Sequence, residues 1–229
     1  MKIKIIFEDN HLLVVEKPVN MLTQSDQSGD LDLFTFLKND LKTRYQKPGN
    51  VYLGLVHRLD RPVGGVMVFA KTSKAASRLS AQIRERKFEK YYLAVVRGLL
   101  IKDNNRLHNH LVKDSRQNIV SVVPKPIPGS KEALLDYTVV GKREQLSFIK
   151  IALDTGRSHQ IRVQLAAIGH PLYGDQKYGA KVNQLGEQLA LFSSKLRFQH
   201  PITKEYLEFK SSPPSIYPWT IFHDLLGVC

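Results

Sequence analysis

The chain has 229 residues, 42% hydrophobic and 24% charged, a balance that suits a folded globular protein and excludes a long disordered or fibrous one. Its 34 lysines and arginines against 21 aspartates and glutamates leave a formal charge of +13, which favours a polyanionic partner through release of condensed counterions. The only cysteine is Cys229, so a disulfide framework and a cysteine-based zinc site are both excluded.

No apolar run approaches the roughly 20 residues a membrane helix needs. The N-terminus "MKIKIIFEDN" reaches Glu8 and Asp9 before a secretory core could form. A cytoplasmic protein working away from membranes is expected.

In chain order, residues 4–7 and 12–16 read as a short strand pair turning at "EDN". Leu31, Phe34, Leu37 and Leu41 are spaced for one helix face that ends before "QKPGN". Residues 51–56 and 66–71 read as apolar strands. Thr72 or Ser73 caps a helix running to about Arg86, with Ala75, Ala76, Leu79 and Ile83 on its buried side. A strand follows at 91–96.

Residues 102–131 hold few apolar side chains and several prolines, which predicts loops with a short hairpin. Residues 132–140 and 147–153 form another strand pair. Ser158 caps a short helix whose Ile161, Leu165 and Ile168 share a face and which Gly169 and Pro171 stop. The last strands fall at 189–198 and 206–210. Strands in hairpin order with a few helices define an α+β protein: a mixed, largely antiparallel sheet with flanking helices, in a single domain over 1–229.

Two charged constellations stand out. In "YLGLVHRLDRPVGGVMVFAKT", residues 52–72, two apolar runs flank a knot of His57, Arg58, Asp60 and Arg61. In "LDTGRSHQIRVQLAAIGHPLYGD", residues 153–175, Arg157, His159 and Arg162 gather at a helix start, a place that suits phosphate or a carboxylate. Arg162 borders the apolar face of that helix, from where it can reach a carboxylate on a neighbouring loop.

"HRLDRPVGGVMVFAKT", "KFEKYYLAVVRG", "GRSHQIRVQLAAIGHPLYGDQKYG" and "LRFQHP" together resemble the RluA-like family of RNA pseudouridine synthases. The matches keep the family's order over nearly the whole chain, from "EDNHLLVVEKP" to "FKSSPP". The resemblance implies the pseudouridine synthase fold and an isomerase with neither cofactor nor metal. Such an enzyme detaches uracil from C1′ of a uridine in RNA, turns it, and rejoins it through C5. The family's catalytic aspartate falls on Asp60, its K-x-Y tyrosine on Tyr92 and its Q-I-R arginine on Arg162. The arginine beside the aspartate, which in the family fills the space of the extruded nucleotide, falls on Arg58.

These residue types suit that reaction. Cleavage of the glycosidic bond builds positive character at the sugar, which a carboxylate stabilises or traps. Attack at C1′ and removal of a ribose proton both need the ionised form, which a nearby guanidinium favours. An aromatic ring such as Tyr92 holds loose uracil by stacking. A phenol can also assist proton removal from C5, although stacking alone accounts for an aromatic there. Arg162 is expected to pair with Asp60, and His57 and Arg61 to be structural. Arg157, His159, Lys71, Lys74 and Arg78 are the expected RNA-binding residues, on ribosomal or transfer RNA, with the protein acting as a monomer.

Three departures from the family pattern bear on subgroup and target rather than chemistry. Arg61-Pro62-Val63 precedes the glycines where many members have Thr or Ser, and Gln164 stands where many have His. The catalytic fold is also expected to start within the first residues, with no separate N-terminal RNA-binding domain. The alternative function, an RNA-binding or RNA-folding protein that keeps the fold without turnover, has no need for Asp60, Tyr92 and Arg162 together.

Overall fold

The computed structural model describes residues 2–228. They gather into two compact units, each built from two stretches of chain. One unit takes the chain up to Glu89 with Ser193–Ser211; the other takes Lys90–Phe192 with the residues from Ser212 onward.

In the first unit, β1 (Lys4–Glu8) and β2 (Leu12–Lys17) pair antiparallel with Lys4 opposite Glu16. Strand β2 pairs antiparallel with β4 (Gly64–Ala70), placing Leu12 opposite Ala70 and Lys17 opposite Gly65. The two-residue β3 (Gly54–Leu55) also pairs with β4. Strand β11 (Tyr206–Lys210) pairs with residues 195–199 of β10 (Leu191–Gln199). All seven residues of β4 are buried, which is why its sequence is a continuous apolar run rather than an alternation. At Gly65 the backbone takes φ +119°, and a Cβ there would lie 2.2 Å from the carbonyl oxygen of Ser193, so only glycine fits.

Helix α1 (Leu33–Arg44) starts where Asp32 accepts the Thr35 amide at 2.9 Å. Its buried face is Leu33, Leu37 and Leu41: Leu37 and Leu41 are as predicted, while Leu33 takes the place expected of Leu31 and Phe34. Leu31 precedes the cap and is 57% exposed. Helix α2 (Ser73–Arg84) is capped by Thr72, one of the two predicted caps, and Ala75 and Leu79 pack against Val66, Val68 and Phe88. Phe88 stacks on Phe198 with centroids 4.8 Å apart.

The second unit is an antiparallel sheet in the order β5 (Glu89–Arg97), β9 (Leu146–Leu153), β8 (Lys131–Arg143), β6 (Asn104–Asp114), β7 (Ile119–Val123). Residues 102–131 are thus mostly strand, where the sequence predicted mostly loop. Within β6 only Leu107 and Leu111 are buried, so its polar composition is that of a strand with one wet face. Helix α3 (Gln160–Ala167) begins one residue later than predicted: its N-cap is His159, in the left-handed conformation at φ 50°, and not Ser158. Phe148 forms the centre of this unit's main core, meeting Trp219 edge-on and Phe222 stacked at 5.3 Å. The two units are α+β in class, with antiparallel pairing in every register given above.

Candidate active site

In the first unit, the charged knot lies between β3 and β4, and its backbone is fixed at several points. The Thr23 hydroxyl donates to the Leu59 carbonyl at 2.7 Å and accepts the Leu59 amide at 3.3 Å. The Val63 amide donates to the Asp60 carbonyl at 3.0 Å, closing a tight turn over 60–63. Lys17, at the end of β2, turns its ammonium inward and donates to the carbonyls of Pro18 (2.9 Å), Arg61 (3.1 Å) and Val63 (2.8 Å). Lys17 is only 1% exposed. Burial draws its ammonium down to about 7, with the Asp60 charge acting in the opposite direction.

Asp60 is half-buried on this clamped turn, and Arg58 and Arg61 beside it are exposed. Arg61 pairs with Asp30 at 2.6 Å. His57 accepts the Val68 amide at Nε2, 3.1 Å away, a structural use of the ring. Of the cations expected to meet RNA, Lys74 is exposed on α2. Lys71 bonds Glu8 at 2.7 Å and the Asp9 carbonyl at 2.6 Å, and Arg78 bonds the Pro201 carbonyl at 2.8 Å.

In the second unit, Tyr92 is buried on β5 opposite Ile151. Arg162, in the first turn of α3, is 7% exposed and forms a forked pair with Asp175: Nε and Nη2 each lie 2.8 Å from a different carboxylate oxygen. Asp175 also accepts the amides of Lys177 (2.9 Å) and Tyr178 (3.1 Å). The Arg162 guanidinium lies 5.2 Å from the centre of the Tyr178 ring. The Tyr178 hydroxyl accepts the Val120 amide at 2.9 Å and lies 2.7 Å from Nδ1 of His159, so it ties α3 to strand β7. Arg157 is exposed, its Nε donating to the Glu132 carbonyl at 2.8 Å. Gln164, which replaces the family's common histidine, is fully buried and donates to Asn109 at 2.8 Å.

Sequence reasoning missed Lys17, Asp175 and Tyr178. The signal for Asp175 was present in "LYGDQKYG", which follows the helix directly, but nothing in it says which cation the aspartate holds. Lys17 ends an apolar strand in "LLVVEKP" and reads as an ordinary surface lysine.

Chemically, each unit offers a fixed charge: a carboxylate on a clamped turn in one, a buried guanidinium held by its own acid in the other. Comparison with known proteins places the chain in a family. Residues 11–167 match the model of a family described as RNA pseudouridylate synthase, and the chain belongs to that family. It is an RNA pseudouridine synthase of the RluA-like group, similar along most of its length to enzymes of that kind. An uncharacterized RNA pseudouridine synthase of Aquifex aeolicus is 35% identical over 96% of this chain and 74% of its own. Ribosomal large subunit pseudouridine synthase C of Vibrio parahaemolyticus is 32% identical over 90% of this chain, which spans 64% of that relative's length. Among solved structures, human RNA pseudouridylate synthase domain containing 4 shares the fold at TM-score 0.78 and 21% identity, over 97% of this chain and 92% of that one. Among the described residues no helix is long and apolar enough to cross a membrane.

Proposed function

We propose that the chain isomerises specific uridines in structured ribosomal or transfer RNA, in the cytoplasm, with Asp60 as the carboxylate that works at the sugar. The observation that carries this reading is the clamping of the Asp60 turn by Lys17 and Thr23. A carboxylate that must meet C1′ or a ribose proton gains rate from a backbone already fixed in position. In this reading Tyr92 stacks on uracil while it turns, and Arg162, held by Asp175, is the third catalytic residue. Arg58 enters the gap left by the extruded nucleotide.

RNA is held mainly through its phosphates. Lys74 and Arg157 are exposed and suit that task, and Lys71, Arg78 and His159, already bonded to other groups, give a weaker part. The test is to map pseudouridines in ribosomal and transfer RNA from a deletion strain and from wild type, then to treat the deletion-strain RNA with purified protein. One or more uridines should be unmodified in the deletion strain and converted in vitro. RNA with the same pseudouridines in both strains, unchanged by added protein, contradicts the reading.

A further inference from the structure

Tyr45 ends helix α1 as its C-cap, and the reaction above makes no use of it. The helix closes in a Schellman motif: the Lys47 amide donates to the Lys42 carbonyl at 3.0 Å and the Gln46 amide to the Thr43 carbonyl at 3.2 Å, with Gln46 left-handed at φ 47°. The residues of "KTRYQK", 42–47, are all exposed, and Lys42, Arg44 and Lys47 among them are cations.

Tyr45 is 50% exposed, yet its ring is held, because the hydroxyl donates to Glu8 at 2.9 Å. Cations from three places surround it. Lys71 Nζ lies 5.0 Å from the ring centre, the Arg44 guanidinium 5.4 Å and Lys47 Nζ 5.9 Å. The acids at hand serve two of these cations: Glu8 accepts from Lys71 at 2.7 Å and from Arg44 at 2.9 Å, and Asp40 accepts from Arg44 Nε at 2.7 Å. Among the described residues no acid pairs with the ammonium of Lys42 or Lys47.

Like charges gathered around one ring raise the local potential, and a polyanion offsets their repulsion. A fixed aromatic ring among cations is also what holds single-stranded nucleic acid, with phosphates on the cations and a base stacked on the ring. The patch shares a unit with Asp60 but lies at the other end of β4: the Asp60 turn leads into Gly64, and Lys71 follows Ala70. A strand of 7 residues at ~3.3 Å each separates the two places by roughly 20 Å, or about six stacked nucleotides of one strand.

We propose that Tyr45, with Lys42 and Lys47, is a second RNA contact, which takes an unpaired nucleotide several positions away from the target uridine. The base stacks on Tyr45 and the flanking phosphates meet Lys42 and Lys47, while Lys71, Arg44 and Glu8 keep the ring in place. This contact rests on the reading that the chain binds RNA, and it concerns how the strand is held rather than whether Asp60 reacts.

Its test needs neither turnover nor the natural RNA. A single-stranded oligouridylate of about 20 nucleotides, long enough to span both places, and an RNA duplex of equal length are titrated into each protein over a range of salt. The proteins are wild type, Tyr45→Phe, Tyr45→Ala, Lys47→Gln and, from the second unit, the exposed control Lys113→Gln. Tyr45→Ala should bind the single strand about tenfold more weakly, the size of one lost base stack, and the duplex as wild type does. Tyr45→Phe keeps the ring and should stay within about twofold of wild type. Lys47→Gln should weaken both RNAs and lower the salt slope for the single strand by about 0.7, one phosphate's share. Lys113→Gln should keep the wild-type slope. Tyr45→Ala binding the single strand as tightly as wild type, or losing affinity for both RNAs equally, overturns the proposal. So does a slope change in Lys113→Gln as large as that in Lys47→Gln. Polyglutamate of equal charge that displaces the single strand as well as unlabelled oligouridylate also overturns it, since the patch would then fit an acidic protein. Should Tyr45→Ala fail to fold by circular dichroism, Lys47→Gln on the exposed turn supplies the readout, and an unchanged slope there overturns the contact. Tyr45-dependent binding by a protein that forms no pseudouridine would strike down the catalytic reading and still support this contact.

Discussion

Arg162 and Asp175 meet as a forked ion pair with neither side chain more than 8% exposed, and the Asp175 carboxylate itself is fully buried. The first turn of α3 thereby carries a guanidinium whose direction is set from within its own unit. Removing one partner of a buried pair leaves an uncompensated charge, which commonly costs about 3–5 kcal/mol. Asp175→Ala is expected to lose stability on that scale in urea unfolding. At a temperature where it remains folded, its rate should fall further than its RNA affinity, because Arg162 loses its aim. Arg162→Lys should recover little, since an ammonium cannot form the fork. An Asp175→Ala protein with wild-type stability would show that the pair is dispensable.

Lys17 gives a pH signature. Its ammonium is depressed from 10.5 to about 7 in the folded chain, so between those values the unfolded chain binds more protons. Stability from this group is therefore missing below about 7 and is regained as pH rises from there toward 10.5. The slope contributed cannot exceed about 1.4 kcal/mol per pH unit, one proton's worth. Lys17→Met should be less stable throughout, having lost bonds to three carbonyls. Its unfolding free energy should also rise less than wild type's between about pH 7 and 9. Parallel curves for the two proteins over that range would contradict the buried, depressed lysine.

Gly65 marks a backbone contact that no side chain can share. Gly65→Ala would place a carbon 2.2 Å from the Ser193 carbonyl oxygen at a φ of +119°, and both effects destabilise. A loss of several kcal/mol, or no soluble protein, is expected. Gly49→Ala, where nothing lies within 4 Å, is the matched control and should melt within a few degrees of wild type. Equal melting temperatures for the two variants would refute the close approach.

Arg58 and Lys74 are both exposed cations, but their expected tasks differ. Lys74→Ala should weaken binding to all RNAs alike and flatten the salt dependence by nearly one unit of slope. Arg58→Ala should instead slow single-turnover isomerisation more than it weakens binding, because extruding a uridine costs a few kcal/mol of stacking and pairing. If Arg58→Ala lost affinity in proportion to rate, with the same change of salt slope, Arg58 would be another phosphate ligand.

What could be read from the chain was whatever depends on neighbours in sequence. The Thr72 cap and the continuous apolar run of β4 were legible because propensity, capping and burial act locally there. The charged knot was legible because acid and bases between two apolar runs need a reason. Strand β6 was not, because its wet face gives it the composition of a loop. The start of α3 was misplaced by one residue because a left-handed His159, not a serine side chain, precedes the first turn. Asp175 as the partner of Arg162, and Lys17 as the clamp of the Asp60 turn, are tertiary choices: each joins groups whose pairing no periodicity announces.

We propose that Asp60 does the chemistry. Asparagine nearly keeps its size but brings neither a negative charge nor a good nucleophile. The most direct measurement is single-turnover tritium release from 5-tritiated uridine in the mapped RNA, with wild type beside Asp60→Asn. The variant should fold, bind RNA within a few-fold of wild type, and lose at least about a thousandfold in rate. Near-wild-type tritium release by a sequence-verified Asp60→Asn protein would rule out Asp60 as the carboxylate that works at the sugar.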